Sequence, residues 1–177
     1  MVNNEKWKEY LLKISIFGHP DELVNPLIHK LVQTYPRQVT LNLSSESENI
    51  YILQIEIENW RLTIYLVQPV SQYLIDKLPS HYYTEIAGSI ILFSNDNLES
   101  FKAARTFYHQ VRKVNGNLPV LVTFIEVIDS INIPIIDEPE VLSSSPNVIY
   151  YGIRENDEEA FSKIIETFVS RYFGFQE

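Results

Sequence analysis

The chain contains no cysteine. That removes disulfides, cysteine-ligated zinc, a thiol nucleophile and prenyl or palmitoyl attachment from the chemistry open to it. Long apolar runs are missing too: none reaches the roughly 18 residues that a membrane-crossing helix needs. Positive charge is scarce, with 14 Lys and Arg against 23 Asp and Glu, for a net charge of −9. A phosphate backbone or an anionic lipid surface would repel such a chain on average, which argues against nucleic-acid and membrane-surface binding. Met1-Val2-Asn3 carries no glycine after the methionine, so myristoylation is not expected. Lys6, Lys8 and Lys13 interrupt the apolar stretch that a signal peptide requires. These absences predict a cytoplasmic protein with no lipid anchor and no membrane span. The hydrophobic share of 45% and the charged share of 21% argue against disorder. The length of 177 residues suits one domain over 1–177, with 1–9 as a short polar leader and Trp7 as a half-buried anchor.

The stretch Tyr10–Leu31 reads as a buried strand, one glycine, a short polar loop and an amphipathic helix. That is the layout of a strand, phosphate loop and helix, whose nucleotide-binding form is G-x-x-x-x-G-K-[ST]. Here Gly18 is followed by His19, Pro20, Asp21 and Glu22, and then Leu23, Val24 and Asn25 stand at the second glycine, the lysine and the hydroxyl. Successive backbone N–H groups and a lysine are what such a loop offers a phosphate. Pro20 removes one N–H, and Val24 supplies no charge. Asp21 and Glu22 bring carboxylates to the place where phosphate would sit. Like charges ~5 Å apart repel by roughly 3 kcal/mol at an effective dielectric of about 20.

Along the rest of the chain, Leu11–Phe17 predicts a central strand covered on both faces. Asn25-Pro26 predicts an N-cap and a first-turn proline for a helix over Pro26–Tyr35, ended by Pro36. Arg37–Glu48 reads as a polar connection ending in SSESE. Asn49–Ile57 and Arg61–Val67 read as a hairpin, with Glu58-Asn59-Trp60 as its turn. Gln68–Ser80 reads as loop with some helix at Tyr73–Lys77. Gly88–Phe93, Val120–Phe124 and Val148–Tyr151 are short apolar runs of strand type. Asp96 with Glu99, and Asn156 with Glu159, form candidate capping boxes. The first opens a helix carrying Phe101, Ala104, Tyr108 and Val111 on one face and closed by Asn115-Gly116. The second opens a helix with Phe161, Ile164, Ile165, Phe168, Val169, Tyr172 and Phe173 on one stripe. Strands alternating with helices imply a mostly parallel α/β sheet, with one antiparallel strand from the hairpin.

This order resembles the small GTPases of the Ras/Rab superfamily over nearly the whole chain. The best local match is Tyr82-Tyr83-Thr84-Glu85-Ile86-Ala87-Gly88, then a hydrophobic strand, then Glu99-Ser100-Phe101. It looks like the Rab-type Y-Y-R-G-A-x-G segment followed by E-S-F. The resemblance implies a three-layer α/β/α fold with a six-stranded sheet in small-GTPase topology. It also places the family's functional motifs. The phosphate loop falls on Gly18–Asn25, with only Gly18 kept. The magnesium-linked aspartate falls on Gln68, the γ-phosphate glycine on Ser71, and the water-orienting glutamine on Gln72. The guanine-reading motif falls on Phe124–Val127, with none of its residues kept. The switch threonine falls near Ser45. The aromatic effector triad of Rab-like proteins falls on Ile50, Val67 and Tyr82, of which only Tyr82 is aromatic. Trp60 at the hairpin turn is a separate candidate for partner contact.

The losses agree with one another and point to a pseudo-GTPase. Its expected role is a non-catalytic interaction or scaffold subunit in trafficking or signalling, with no cofactor and no metal. The expected partner is a protein, such as another GTPase-like or adaptor subunit. The alternative is an atypical guanine-nucleotide switch, supported by Gln72 and Ser45. A flavodoxin- or receiver-like domain is disfavoured by the central hairpin and by Phe17-Gly18-His19 where a phospho-acceptor would stand. His19, His29, His81 and His109 form no HxxxH pair that would suggest a metal. Ser143–Ser145 has no evident base and reads as linker.

Overall fold

A computed structural model describes residues 8–20, 23–28, 43–44, 48–57, 60–69, 85–94, 97–116, 120–126, 148–154 and 158–173. In chain order the elements are β1 (Lys8–Gly18), α1 (24–28), β2 (Leu43–Ser44), β3 (Glu48–Ile57), β4 (Trp60–Pro69), β5 (Gly88–Ser94), α2 (Leu98–Asn115), β6 (Val120–Glu126), β7 (Val148–Arg154) and α3 (Glu158–Phe173). The strands form one sheet in the order β2-β3-β4-β1-β5-β6-β7. β1 pairs in parallel with β4 on one side and β5 on the other, and β5-β6 and β6-β7 are parallel as well. β3 runs antiparallel to both β2 and β4.

The expected six-stranded, three-layer small-GTPase architecture is therefore corrected: the sheet has seven strands. The added strand is β2, which pairs Leu43 with Ile50 and Ser44 with Asn49 at the sheet's outer edge. It lies in a stretch read as polar connection, because two residues are too few to show the period-2 pattern that marks a strand. The helices among the described residues are α1, of which five residues are described, and the long α2 and α3.

Other boundaries move for local reasons. β1 begins at Lys8, so the polar leader overlaps the sheet; Lys8 and Glu9 pair with Trp60 and Arg61. The hairpin turn is shorter than expected, since Trp60 is already in register opposite Ile57. At its far end β4 takes in Gln68 and Pro69, opposite Asn49 and Glu48. Helix α1 starts before Asn25-Pro26, on a turn closed by the Leu23 N–H donating to the Pro20 carbonyl at 3.0 Å. Pro26 then lies in the first helical turn, where its missing N–H would have no partner in any case. Asn97, not Asp96, caps α2: its side chain accepts from the Glu99 and Ser100 N–H groups at 3.0 and 3.1 Å. Gly116 closes that helix at φ 58, and its N–H returns to the Arg112 carbonyl. The Asn156 cap and the helical stretch at Tyr73–Lys77 lie outside the described residues.

Each face of the sheet carries its own core. On one face Leu12, Ile14 and Ile16 of β1, Leu62, Ile64 and Leu66 of β4, and Ile90 and Leu92 of β5 meet α1 and α3. Helix α3 contributes Ile164, Ile165, Phe168 and Val169, all essentially inaccessible. Full burial of one such side chain stabilises by about 1.5–3 kcal/mol. On the other face Phe17, Val67, Ile91 and Phe93 pack under Phe101, Ala104, Phe107, Tyr108 and Val111 of α2. Phe17 stacks on Phe107 with centroids 4.9 Å apart. At the β4 start, Trp60 stacks on Tyr10 at 4.7 Å and also meets Phe173.

Candidate functional site

The candidate site is the end of β1 and its exit into α1, the stretch on which the small-GTPase resemblance would place a phosphate loop. Gly18 is buried and pairs with Leu92 of β5. A Cβ built at Gly18 would lie 2.7 Å from Cγ2 of Val24 and 3.3 Å from Cβ of Leu92. Gly18 does not have a positive φ, so close approach alone explains the glycine. The side chain that makes this approach is Val24, where the resemblance would place a phosphate-loop lysine. Val24 is fully buried and belongs to the same core as Leu27, Ile28 and Leu92. A stiff branched side chain therefore occupies the space next to the glycine. Asn25, where the resemblance would place a metal-binding hydroxyl, is exposed.

Among the described residues, Ser100 ties into this turn. The Ser100 hydroxyl donates to the His19 carbonyl and accepts from the Ser94 N–H at 3.0 Å. Ser100 is fully buried, held by its place three residues after the Asn97 cap. It ties the β5–α2 junction to the turn after β1. The His19–Pro20 peptide is cis.

Gln68, where the resemblance would place a magnesium-linked aspartate, is buried at the end of β4, and its Oε1 accepts from the Tyr51 hydroxyl at 3.4 Å. Burial raises the Tyr51 phenol above its ordinary pKa. A neutral amide bonded to a phenol supplies no carboxylate for a cation. Among the described residues no group of three or more His, Asp or Glu is placed to hold a metal. His19 is half-buried beside the turn and His109 is exposed on α2, while His29 and His81 lie outside the described residues.

Phe124 lies in β6, in register with Phe93 and Gly152. Val127, Ser71, Gln72, Ser45 and Tyr82 lie outside the described residues. Of the candidate partner residues, Ile50 and Val67 are brought directly opposite each other in the β3–β4 ladder. Val67 is buried beneath α2 and Ile50 is half-buried beside it. Trp60 sits elsewhere, stacked on Tyr10 with the Lys8 ammonium 5.0 Å from its ring centroid. Residue-by-residue reading missed Ser100, Tyr51 and Glu85. Glu85 is exposed and holds φ 56, at the place where the Y-Y-R-G-A-x-G segment has its first glycine. A non-glycine residue rarely adopts that conformation.

Among the described residues no helix is long and apolar enough to cross a membrane. No protein-family profile matches this chain, and no curated protein matches it.

Proposed function

We propose that this chain is a non-catalytic interaction or scaffold subunit, a pseudo-GTPase that has given up the usual GTP binding. The observation that carries the reading is Val24. It is buried against Gly18 where a phosphate-binding lysine would need to stand free. Two further features support it. Ser100 already holds the His19 carbonyl, so the turn after β1 is fixed by protein. Gln68 is committed to Tyr51 in place of a metal-linked carboxylate. Packing then stabilises the turn in a way that a ligand would otherwise have to provide. In this reading the partner is a protein, met through the β3–β4 strands.

The test is the nucleotide content of the purified protein. Protein denatured and passed through an ion-exchange column is expected to release no stoichiometric GTP, GDP or other nucleotide. Release of about one nucleotide per chain would sink the proposal.

A further inference from the structure

Helix α2 differs in charge from the rest of the chain. It carries Lys102, Arg105, Arg112 and Lys113 against Glu99 alone, a net +3 in a chain of −9, which leaves the remainder at −12. Its inward side is set by Phe101, Ala104, Phe107, Tyr108 and Val111, buried in the core on that face of the sheet. Lys102, Arg105, His109 and Lys113 recur at the i, i+3, i+4 spacing of the outward side, and all four are exposed. Leu98, one turn before Lys102 on the same side, is 55% exposed. From Lys102 to Lys113 the stripe runs about 16 Å, or three turns at 1.5 Å per residue. Arg112 lies at its border, over the Tyr108 ring and bonded to the Gly116 carbonyl. Glu99 bonds Lys102 at 2.7 Å, with both side chains more than half exposed, a surface pair that contributes little and exchanges readily. A solvated helix face usually alternates the sign of its charges. This one keeps a single sign over three turns, and that sign is opposite to the chain's own.

We propose that the outward face of α2 docks a short carboxylate-rich segment of another protein, with an apolar side chain at the end that meets Leu98. The sign of the stripe sets the sign of the partner, and the charge of the remainder limits its size. An anionic bilayer or a nucleic-acid duplex extends well beyond the stripe. Its phosphates would come within a Debye length, about 8–10 Å, of the strongly acidic remainder and be repelled. A short acidic segment meets the stripe and little else. About five extended residues, at about 3.3 Å each, span it. This docking goes beyond the β3–β4 contact and stands whether or not the chain binds a nucleotide.

The test is fluorescence anisotropy of a fluorescein-labelled peptide, one leucine followed by glutamates, about six residues in all. The full wild-type chain is expected to bind it saturably at about 0.02 M salt and to release it at about 0.5 M, where surface charges are screened. Lys102→Glu with Lys113→Glu reverses both ends of the stripe at exposed positions and is expected to weaken binding by about tenfold or more. Lys8→Glu with Lys163→Glu makes the same change in net charge outside α2 and is expected to weaken it by about twofold at most. Lys102→Gln with Lys113→Gln, which removes the charges without adding repulsion, is expected to fall between the two. Urea unfolding of each variant separates loss of binding from loss of fold. Absence of saturable binding at low salt overturns the proposal, and so does equal weakening by the α2 variants and the Lys8, Lys163 variant. Phosphatidylserine vesicles and a DNA duplex, added as competitors, are expected to leave the peptide bound; displacement by either overturns the choice of a protein partner. Sedimentation equilibrium of the wild-type chain alone is expected to give the 20.7 kDa monomer. Self-association abolished by Lys102→Glu with Lys113→Glu would make the occupant a second copy and overturn the proposal as stated.

Discussion

Replacing Gly18 by alanine tests whether Val24 fills the space beside it. The added Cβ would lie 2.7 Å from Val24 Cγ2, against an optimal carbon–carbon separation of about 3.5–4.0 Å. Val24 has little room to yield, since a branched side chain in a helix holds one χ1 rotamer and this one is fully buried. Overpacking of this kind costs about 1–3 kcal/mol. Glycine-to-alanine replacement in an ordinary backbone region gives back about 0.4–1 kcal/mol through the unfolded chain. The net destabilisation of Gly18→Ala is then about 1–2 kcal/mol, a fall in Tm of roughly 2–8 °C for a chain of this size. Val24→Ala alone removes two buried methyl groups and costs about 1–3 kcal/mol. In the double variant the methyl introduced at position 18 occupies space that Val24 has vacated. The combined cost is therefore expected to fall short of the sum by about 1 kcal/mol or more, whereas independent sites add within about 0.5 kcal/mol. Urea unfolding of the four proteins reads this out, as shifts in midpoint at constant slope. Costs that simply add would refute the reasoning, because the two residues would then not share one space.

Three further perturbations probe the same region and its supports. Ser100→Ala removes the hydroxyl that bonds the Ser94 N–H and the His19 carbonyl and is expected to lower stability by about 1–3 kcal/mol in urea unfolding; an unchanged midpoint would contradict the tie. Glu85→Asn relieves a left-handed conformation that glutamate adopts poorly and is expected to raise stability by about 0.5–1 kcal/mol; a lower midpoint would count against it. The third concerns Tyr51, whose pKa is raised by burial. The phenol's contribution is complete below its unfolded value of about 10 and is lost as pH rises through the higher folded value. Urea midpoints measured between about pH 9 and 11 should fall more steeply for wild type than for Tyr51→Phe, and parallel curves would refute this.

Much of the sheet was legible because buried parallel strands are written as short continuous apolar runs. Gly88–Phe93 is of this kind and so is β1 from Leu12 to Phe17, both between cores on opposite faces, whereas Leu11 is 66% exposed. The α2 stripe of Phe101, Ala104, Tyr108 and Val111 was equally plain, since four inward residues at helical spacing leave one face to bury. What escaped was decided by tertiary pairing. β2 exists because β3 offers it an edge, not because Leu43-Ser44 favours a strand. Trp60 reads as a turn residue from its neighbours, yet it lies in β4, stacked on Tyr10 and in tilted contact with Phe173. The choice between Asp96 and Asn97 as cap depends on one residue of helix phase, which either short polar side chain satisfies in sequence. At the candidate site, the absence of a lysine at Val24 was visible in the sequence. That Val24 packs against the one retained glycine was not visible, because the contact depends on where α1 begins. Ser100 gave no sign of its role, since a serine in the first turn of a helix is ordinary.

The central proposal is that side-chain packing at the β1–α1 turn leaves no place for a bound nucleotide. Isothermal titration of the purified chain with GTP and with GDP, each with magnesium, tests it most directly. The account predicts heats no larger than dilution for both nucleotides. A saturable, magnesium-dependent binding isotherm with one site per chain would contradict it.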